Sequence, residues 1–157
     1  MAVSVEPTTH GYRLGPDEGD AYWLLGGLFE VKVATPELTV VEVLLRAGAG
    51  PPPHTHPGGE SVYVLEGRIR YHIAGDVHEG GPGAFFHVPE GTPENFEPIE
   101  DSRLLVTYTP GGMEGFFEEA GERAPRHELP PPPSEPPDVA RLVEIGRRHG
   151  MHLVAPA

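Results

Sequence analysis

The chain has 157 residues, a formal net charge of −13 and no cysteine. A domain of about this length buries roughly 68–70% of the surface that its unfolded chain exposes, so one well-formed core is expected. The missing cysteines exclude disulfides, thiolate zinc sites and cysteine nucleophiles, so any metal has to be bound by His, Asp or Glu. The acidity, with no Lys/Arg cluster longer than Arg147-Arg148, argues against nucleic acid as a partner.

The N-terminal stretch, MAVSVEPTTHGYRLG, lacks the basic start and the continuous apolar run of a signal peptide. No stretch of the chain approaches the ~20 apolar residues needed to cross a bilayer. The sequence therefore predicts a cytoplasmic protein with no membrane partner.

Six short segments are typical of β-strands, because they are rich in Val, Leu, Phe and Tyr and are bounded by Gly, Pro or Asp. They are residues 22–34, 38–46, 61–66, 68–74, 84–88 and 103–109. Turns rich in glycine and proline separate them, and no helical pattern of about 10–15 residues lies between them. An antiparallel sandwich or barrel is favoured over βαβ units, so the body of the chain is predicted to be all-β.

The chain changes character after Gly112. Residues 113–120 have apolar positions at helical spacing and predict a short helix. A proline-dense connector follows, and then a second helix with Asp138 as its N-cap and Gly150 as its stop. We therefore divide the chain into a barrel over 1–112 and an extension over 113–157 that packs on the barrel or on a partner subunit. The final MHLVAPA is expected to add a short edge strand or to clasp a neighbour.

The strongest chemical signal lies in residues 48–67, GAGPPPHTHPGGESVYVLEG. In an extended strand His54 and His56 point to the same face, with their Cα atoms roughly 7 Å apart. The following Pro-Gly-Gly supplies a turn or bulge that can return Glu60 to the same point. Two imidazoles and one carboxylate on one face are typical of mononuclear non-haem metal sites. The alternative interpretation is a polar loop with two exposed histidines.

The spacing of this stretch resembles the first motif of the cupin family. All of its fixed points are present, namely Gly48, His54, His56, Glu60 and Gly67. The flanking AYWLLGG and TPGGMEGFFEEAGE resemble single-domain cupins of the quercetin-dioxygenase-like kind. Together the resemblance covers about residues 38–109 and the segments beside them.

The second cupin motif is matched only in part. Its first three fixed points are Gly83, Pro89 and Gly91. Glu94 stands where the family has a histidine ligand, and Pro98 replaces the family's asparagine. The resemblance therefore leaves the fourth ligand open.

What the resemblance implies is an all-β double-stranded β-helix, the jelly-roll cupin barrel, with a short C-terminal helical extension. One divalent ion (Mn, Fe, Ni or Zn) is expected inside the barrel, bound by His54, His56 and Glu60. We expect Glu94 to be the fourth ligand, since two neutral imidazoles and two carboxylates would balance the charge of the ion. The family resemblance also suggests a homodimer.

Two other interpretations of Glu94 are open. In one, the metal has been lost and Glu94 pairs with an arginine or faces solvent in the turn EGTPEN. In the other, three residues bind the metal and Glu94 is a general base beside it. His87 is a weaker substitute ligand, and His72 and His78 are expected at the surface of a hairpin.

A barrel pocket lined by alternate strand residues suits a small apolar or aromatic molecule whose oxygen reaches the metal. The candidates for this lining are Tyr63, Tyr71, Phe85, Phe96, Leu105 and Tyr108. The predicted function is a metal-binding cupin acting on a small organic, aromatic substrate with quercetinase-like dioxygenase activity, in which Glu60 or Glu94 takes a proton from a hydroxyl. The alternatives are isomerase, lyase or cyclase chemistry at the same metal, and a non-catalytic small-molecule-binding cupin with a degenerate metal site.

Overall fold

The structure is a computed structural model that describes residues 10–154. Residues 1–9, on which the prediction of a cytoplasmic protein partly rests, and residues 155–157, the end of the predicted tail, lie outside the described range. Between them the chain forms twelve strands and two helices. In order these are β1 Asp20–Leu24, β2 Gly27–Ala34, β3 Thr39–Leu45, β4 His54–Thr55, β5 Gly59–Glu66, β6 Ile69–Ile73, β7 Asp76–Gly80, β8 Phe85–Val88, β9 Glu94–Pro98, β10 Ser102–Thr109, α1 Met113–Ala120, β11 Glu122–Arg123, α2 Val139–Arg148 and β12 His152–Leu153.

The strands form two antiparallel sheets, as the sequence predicts for a jelly-roll barrel. One sheet has the order β11-β1-β2-β3-β10-β5-β8, and the other has the order β12-β4-β9-β6-β7. Consecutive strands often lie in different sheets, since β5 pairs with β8 and β10 while β6 pairs with β7 and β9. The sheets face each other across one apolar core.

The core forms on one face of the central strands, along which buried side chains alternate with less buried ones. Every second residue of β3 and β10 is buried, so Val41, Val43, Leu104 and Val106 point inward. Tyr71 from β6 meets them from the opposite sheet and is fully buried. The strands therefore expose one face to solvent and place the other on the core, which is typical of antiparallel sheets.

The structure corrects the predicted strands in two places. The predicted strand over 22–34 is a hairpin of β1 and β2, because Leu25 and Gly26 both have positive φ values, 50° and 77°, and form its turn. Strands β7 and β9 were missed, since the residues of β7 are mostly exposed and the sequence of β9, ENFEP, is rich in polar residues. Both failures arise where strand identity depends on pairing partners rather than on local composition.

Both predicted helices are confirmed. Helix α1 covers 113–120 as expected, and in α2 the Asp138 side chain accepts a hydrogen bond from the backbone N–H of Arg141 at 3.0 Å. Gly150 follows α2 with a φ of 80°, which suits its predicted role as the stop. The predicted edge strand is β12, which pairs with β4 of the same chain. Neither helix is long and apolar enough to cross a membrane.

Candidate metal centre

Four predicted ligands come together because three strands carry them to one point inside the barrel. His54 opens β4 and pairs directly with Glu94, the first residue of β9. His56 lies just past β4, and Glu60 lies in β5, in the other sheet. All four side chains are buried. The predicted convergence of His54, His56, Glu60 and Glu94 is therefore present in the fold.

A close backbone contact holds β4 against β9. Gly50 has a φ of 143°, and a Cβ atom there would lie 2.2 Å from the carbonyl oxygen of Phe96. Only glycine fits this position, because a side chain would clash with the backbone and the φ value is unfavourable for other residues. The loop that leads to His54 can therefore pack directly on the strand that carries Glu94.

The distances between the candidate ligand atoms are those of a shared coordination sphere. His54 Nε2 lies 2.9 Å from His56 Nε2, and Glu94 Oε1 lies 3.1 Å from each of these nitrogens. His56 Nε2 is also 3.0 Å from Glu60 Oε2. Two atoms bound at right angles to an ion about 2.1 Å away would be about 3.0 Å apart, whereas a tetrahedral angle would separate them by about 3.4 Å. The observed spacings fit a set of neighbouring octahedral ligands.

Hydrogen bonding supports the same interpretation. His54 Nδ1 lies 2.8 Å from the carbonyl oxygen of Pro52, so this nitrogen is the donor and Nε2 keeps a lone pair. Glu60 Oε2 and Glu94 Oε1 are buried and make no hydrogen bond of good geometry within the described residues. Buried carboxylate oxygens without partners are costly, and an ion among the four side chains would satisfy both. These buried residues could hold a metal ion.

The titratable side chains of the centre lie close enough to shift one another's pKa values. Burial, together with the nearby Glu94 carboxylate, raises the pKa of Glu60 to about 8. Burial disfavours the charged form of His56, but its contacts with Glu60 and Glu94 outweigh this effect and raise the pKa to about 10. Burial also opposes ionisation of Glu94, yet contacts with Glu60, His54 and His56 hold its pKa below the ordinary value. The centre therefore carries protons that a divalent ion would displace.

A tyrosine fixes the orientation of Glu94. The hydroxyl of Tyr71 donates a hydrogen bond to Glu94 Oε2 at 2.5 Å, and both side chains are fully buried. This bond occupies one carboxylate oxygen and leaves Oε1 directed toward the histidines. The interpretation in which Glu94 pairs with an arginine or faces solvent is wrong, since its partners are Tyr71, His54 and His56.

The other predicted histidines stay away from the centre. His87 is exposed on β8 and its Nδ1 lies 3.0 Å from the hydroxyl of Ser61, so it does not replace a ligand. His78 is exposed on the β6–β7 hairpin, as expected. His72 differs in part, because its side chain is half-buried beside Glu97.

A second group of possible ligands, Asp17, Glu30 and His127, has a different character. The ammonium group of Lys32 lies 3.4 Å from Glu30 Oε2, and His127 Nδ1 lies 3.0 Å from the same atom. Glu30 therefore already has a cationic partner, and Asp17 is exposed. This group lacks the unpaired buried oxygens of the first.

Comparison with known proteins agrees with this geometry. Residues 41–109 match the family model described as "Cupin domain". This part of the chain is a cupin domain. No curated protein sequence matches this cupin.

Solved structures similar to this cupin share its barrel. A RmlC-like cupin from Shewanella frigidimarina has 20% identity and a TM-score of 0.60, covering 68% of this chain and 96% of its own. KdgF from a Halomonas species has 26% identity and a TM-score of 0.53, covering 57% of this chain and 83% of its own. A single-residue mutant of salicylate 1,2-dioxygenase from Pseudoaminobacter salicylatoxidans has 22% identity and a TM-score of 0.52, covering 57% of this chain and 28% of its own. The identities to the first and third are low enough that these likenesses show the fold alone.

An apolar cavity of about 130 Å³ opens onto the candidate metal centre of this cupin. His54, His56 and Glu60 are among its lining residues, whereas Glu94 is not. Phe96 and Tyr108, two of the predicted lining residues, are part of its wall. The cavity therefore gives an organic molecule access to three of the four candidate ligands.

The other residues predicted to line the pocket do not line it, and they differ in the face of the strand on which they lie. Tyr71 is buried beside Glu94 but does not line the cavity. Tyr63 and Phe85 are 43% and 63% exposed and point outward, and Leu105 is only half-buried. These three predictions are wrong, because neighbouring residues of a strand point to opposite faces and the register could not be derived from the sequence.

Sequence reasoning missed two groups of residues at the centre. The contact of Tyr71 with Glu94 depends on the pairing of β6 with β9, which local sequence does not indicate. Part of the cavity wall comes from the C-terminal extension, through residues that include Leu142 and Met151. For these residues the sequence predicted only a helix and a short edge strand in an extension that packs on the barrel or on a partner subunit.

Proposed function

We propose that this cupin is a metal-dependent enzyme that acts on a small aromatic molecule, with dioxygenase chemistry of the quercetinase-like type. The observation that carries the proposal is the convergence of four buried candidate ligand side chains, three of which line an apolar cavity. Buried ligands alone would suit a structural metal. Open access from a cavity to three of the ligands favours a site that binds a substrate.

The two glutamates have different roles in this proposal. Glu94 is a metal ligand, because Tyr71 holds one of its oxygens and the other lies beside both histidines. Glu60 faces the cavity and its Oε2 has no hydrogen bond of good geometry within the described residues. Glu60 is therefore the group that takes a proton from a substrate hydroxyl, and Glu94 keeps the ion in place.

The near-octahedral spacing of the ligand atoms leads us to propose Mn, Fe or Ni ahead of a tetrahedral Zn site. When bound, such an ion supplies a Lewis acid that draws electron density from a coordinating oxygen. His54 and His56 hold the ion through neutral imidazoles, and the apolar wall beside Tyr108 keeps bulk water away from the substrate ring. Dioxygenation adds both atoms of O2 to the substrate, so no further reductant is required.

The test of this proposal starts with metal analysis of the purified protein, followed by O2 consumption with catechols and flavonols. We expect close to one ion per chain and O2 uptake that depends on it. A Glu60→Gln variant should bind the ion more weakly and lose O2 uptake even when it is loaded with the ion, whereas Glu97→Gln, on the exposed part of β9, should keep both. Less than about a tenth of an equivalent of ion, unchanged after refolding with Mn, Fe, Ni or Zn, would contradict the metal site.

The same experiment separates the alternative functions. Conversion of substrate without O2 would favour isomerase, lyase or cyclase chemistry, since these reactions need an ion and a base but no oxygen. Binding of aromatic molecules without any conversion would favour a non-catalytic cupin. Gain of metal or activity in a Glu94→His variant would indicate a degenerate site, whereas loss of bound ion in Glu94→Ala would establish Glu94 as a ligand.

We also propose that the protein is a homodimer. Tyr63 and Phe85 support this, because they are directly paired across β5 and β8 at an edge of the larger sheet and are both exposed. Exposed aromatic side chains at a sheet edge are suited to an interface. Light scattering that gives the mass of a single chain would contradict the proposal. The cytoplasmic location stays a prediction.

A further inference from the structure

The C-terminal wall, defined as residues 137–153, supplies part of the lining of the apolar cavity. Its contributions come from Pro137, Val139, Leu142, Met151 and Leu153. None of these residues belongs to a strand that bears a candidate ligand. The barrel strands alone therefore do not form the whole lining of the proposed substrate position. This arrangement makes the extension part of the site rather than a tail.

The wall is held in place by contacts that do not involve the cavity. The guanidinium of Arg141 donates hydrogen bonds to the carbonyl oxygens of Glu119 and Ala120 at 2.9 and 3.1 Å. His149 Nε2 lies 2.8 Å from a carboxylate oxygen of Glu119, and Ile145 is buried in the core. These contacts dock α2 on α1, so the apolar side chains that face the cavity are presented from a fixed support.

The apolar side chains of the wall have incomplete burial. Leu142 and Met151 are half-buried, whereas Val139 and Leu153 are 53% and 40% exposed at the cavity mouth. Removing apolar side chains from water is favourable in proportion to the apolar area that is buried. A bound molecule with an apolar ring would remove these side chains from water, and the chain itself leaves that position open.

We propose that the C-terminal wall is the specificity-determining element of this site and restricts it to molecules with a single aromatic ring, with Leu142 and Met151 setting the size limit. The proposal rests on the proposed function, because it concerns the substrate of the same centre. A cavity of ~150 Å³ lined by apolar side chains holds one benzene ring. The cavity here, about 130 Å³, is of that size. A flavonol such as quercetin carries a fused ring and a second aryl group, and it would require displacement of the wall.

Two methionine side chains of the protein can be used to detect ligand binding in the cavity by NMR. Of its three methionines, Met113 and Met151 both line the cavity. We would label the methionine methyl groups of the full-length protein with ¹³C and titrate it with catechol or with quercetin under nitrogen. Bound metal is measured on the same samples. This readout reports ring binding directly and does not depend on turnover.

We expect catechol to shift the Met113 and Met151 methyl signals in a saturable way, with an affinity roughly tenfold or more above that of quercetin. Filling the cavity in Leu142→Trp should weaken catechol binding by roughly tenfold or more, and Leu142→Ala should reduce the preference for catechol over quercetin. Val143→Ala is the matched control, because Val143 lies on the same helix, is half-buried and does not line the cavity. Its affinities should equal those of the unmodified protein.

Three results would overturn the proposal: equal or tighter binding of quercetin in the unmodified protein, no binding of either ring, or unchanged catechol binding in Leu142→Trp. If Leu142→Trp does not fold, Met151→Phe fills the same cavity and decides the outcome. Failure of the proposed function would be seen separately. A protein that discriminates the rings but binds no metal contradicts the proposed enzyme and supports the wall, while a metal-loaded protein without discrimination contradicts the wall alone.

Discussion

Strand β9 carries two glutamates, three positions apart, in opposite environments. Glu94 is 2% exposed and lies with His54 and His56 inside the barrel, whereas the side chain of Glu97 is 52% exposed. Glu97 belongs to the outer charge cluster, which we define as Arg68, Arg70, Glu79 and Glu97 on the surface of the same sheet. Both regions contain glutamate carboxylates, but the partners of these carboxylates differ.

In the outer charge cluster each carboxylate has a guanidinium partner. Arg70 lies 2.8 Å from Glu79 and 3.8 Å from Glu97, and Arg68 lies 3.3 Å from Glu79. Water can complete the remaining hydrogen bonds, so nothing more is required. Within residues 10–154, the buried centre has two carboxylates with no lysine or arginine partner, and carboxylate oxygens without hydrogen bonds of good geometry. Such an arrangement is costly in a folded protein unless a cation completes it.

Substitution of the two glutamates tests this difference most directly. Glu94→Gln replaces a carboxylate ligand by a neutral amide, and we expect metal affinity to fall by roughly 100-fold or more, which exceeds the 10–100-fold cost of losing a supporting residue. Glu97→Gln, the matched control on the same strand, should bind metal as the unmodified protein does. Isothermal titration with Mn, Fe(II) and Ni measures both. Equal affinity in the two variants would mean that Glu94 is not a ligand.

Acidity should affect the buried centre in a defined direction. The pKa values of Glu60 and His56, about 8 and about 10, lie above their ordinary values of 4.5 and 6.5. The contribution of Glu60 to the free energy of unfolding is complete below about pH 4.5 and is lost as the pH rises through about 8. The contribution of His56 is complete below about pH 6.5 and is lost as the pH rises through about 10. The metal-free protein should therefore become less stable between pH 6 and pH 8.

Metal binding should show the opposite trend, because the ion displaces these protons. We expect affinity to rise by roughly tenfold per pH unit for each proton released. At about 100 times the dissociation constant the ion stabilises the fold by ~2.7 kcal/mol, which for a chain of this size raises the melting temperature by roughly 5–10 °C. Calorimetry at the two pH values, with and without metal, measures the effect. The Glu94→Gln variant is the control, and a metal-dependent rise that is the same at both pH values would contradict the mechanism.

Tyr71→Phe tests the support of the centre rather than its ligands. The change removes the hydroxyl that donates to Glu94 Oε2, so the carboxylate becomes free to rotate. Metal affinity should fall about 10-fold to 100-fold, as for other residues that orient a ligand. Tyr63→Phe removes an equivalent hydroxyl from an exposed side chain and should leave the affinity unchanged. An unaltered affinity in Tyr71→Phe would show that packing alone positions Glu94.

The buried centre and the two helices show which features of the molecule can be predicted from sequence. His54, His56 and Glu60 lie within seven residues, so their convergence follows from strand alternation and one turn, together with the cupin spacing. Helices α1 and α2 also follow from local signals, such as the Asp138 cap. The environment of Glu94 was harder to predict, because it depends on the pairing of β4 with β9, two strands that are distant in sequence. The local sequence favoured a turn at that position.

The C-terminal wall was beyond sequence reasoning for a related reason. Helix α2 could be recognised, but the surface on which it packs depends on where the proline-rich connector leads the chain. In the fold the connector follows the barrel surface, where Trp23 Nε1 donates to the carbonyl oxygen of Glu128 and Arg46 donates to that of Pro130, both at 2.8 Å. These contacts bring Leu142 to the cavity. Long-range placement of this kind is not encoded in periodicity.

The smallest effect is expected in the outer charge cluster. Arg70→Gln removes the main partner of Glu79, whose pKa is lowered by hydrogen bonds from Arg70 and then from Arg68. An NMR titration of Glu79 should therefore show its pKa rising toward the ordinary value. The melting temperature at neutral pH and the metal affinity should not change measurably, because exposed ion pairs are screened by water and salt. A loss of metal affinity in Arg70→Gln would show that surface charge reaches the buried centre and that the two regions are not independent.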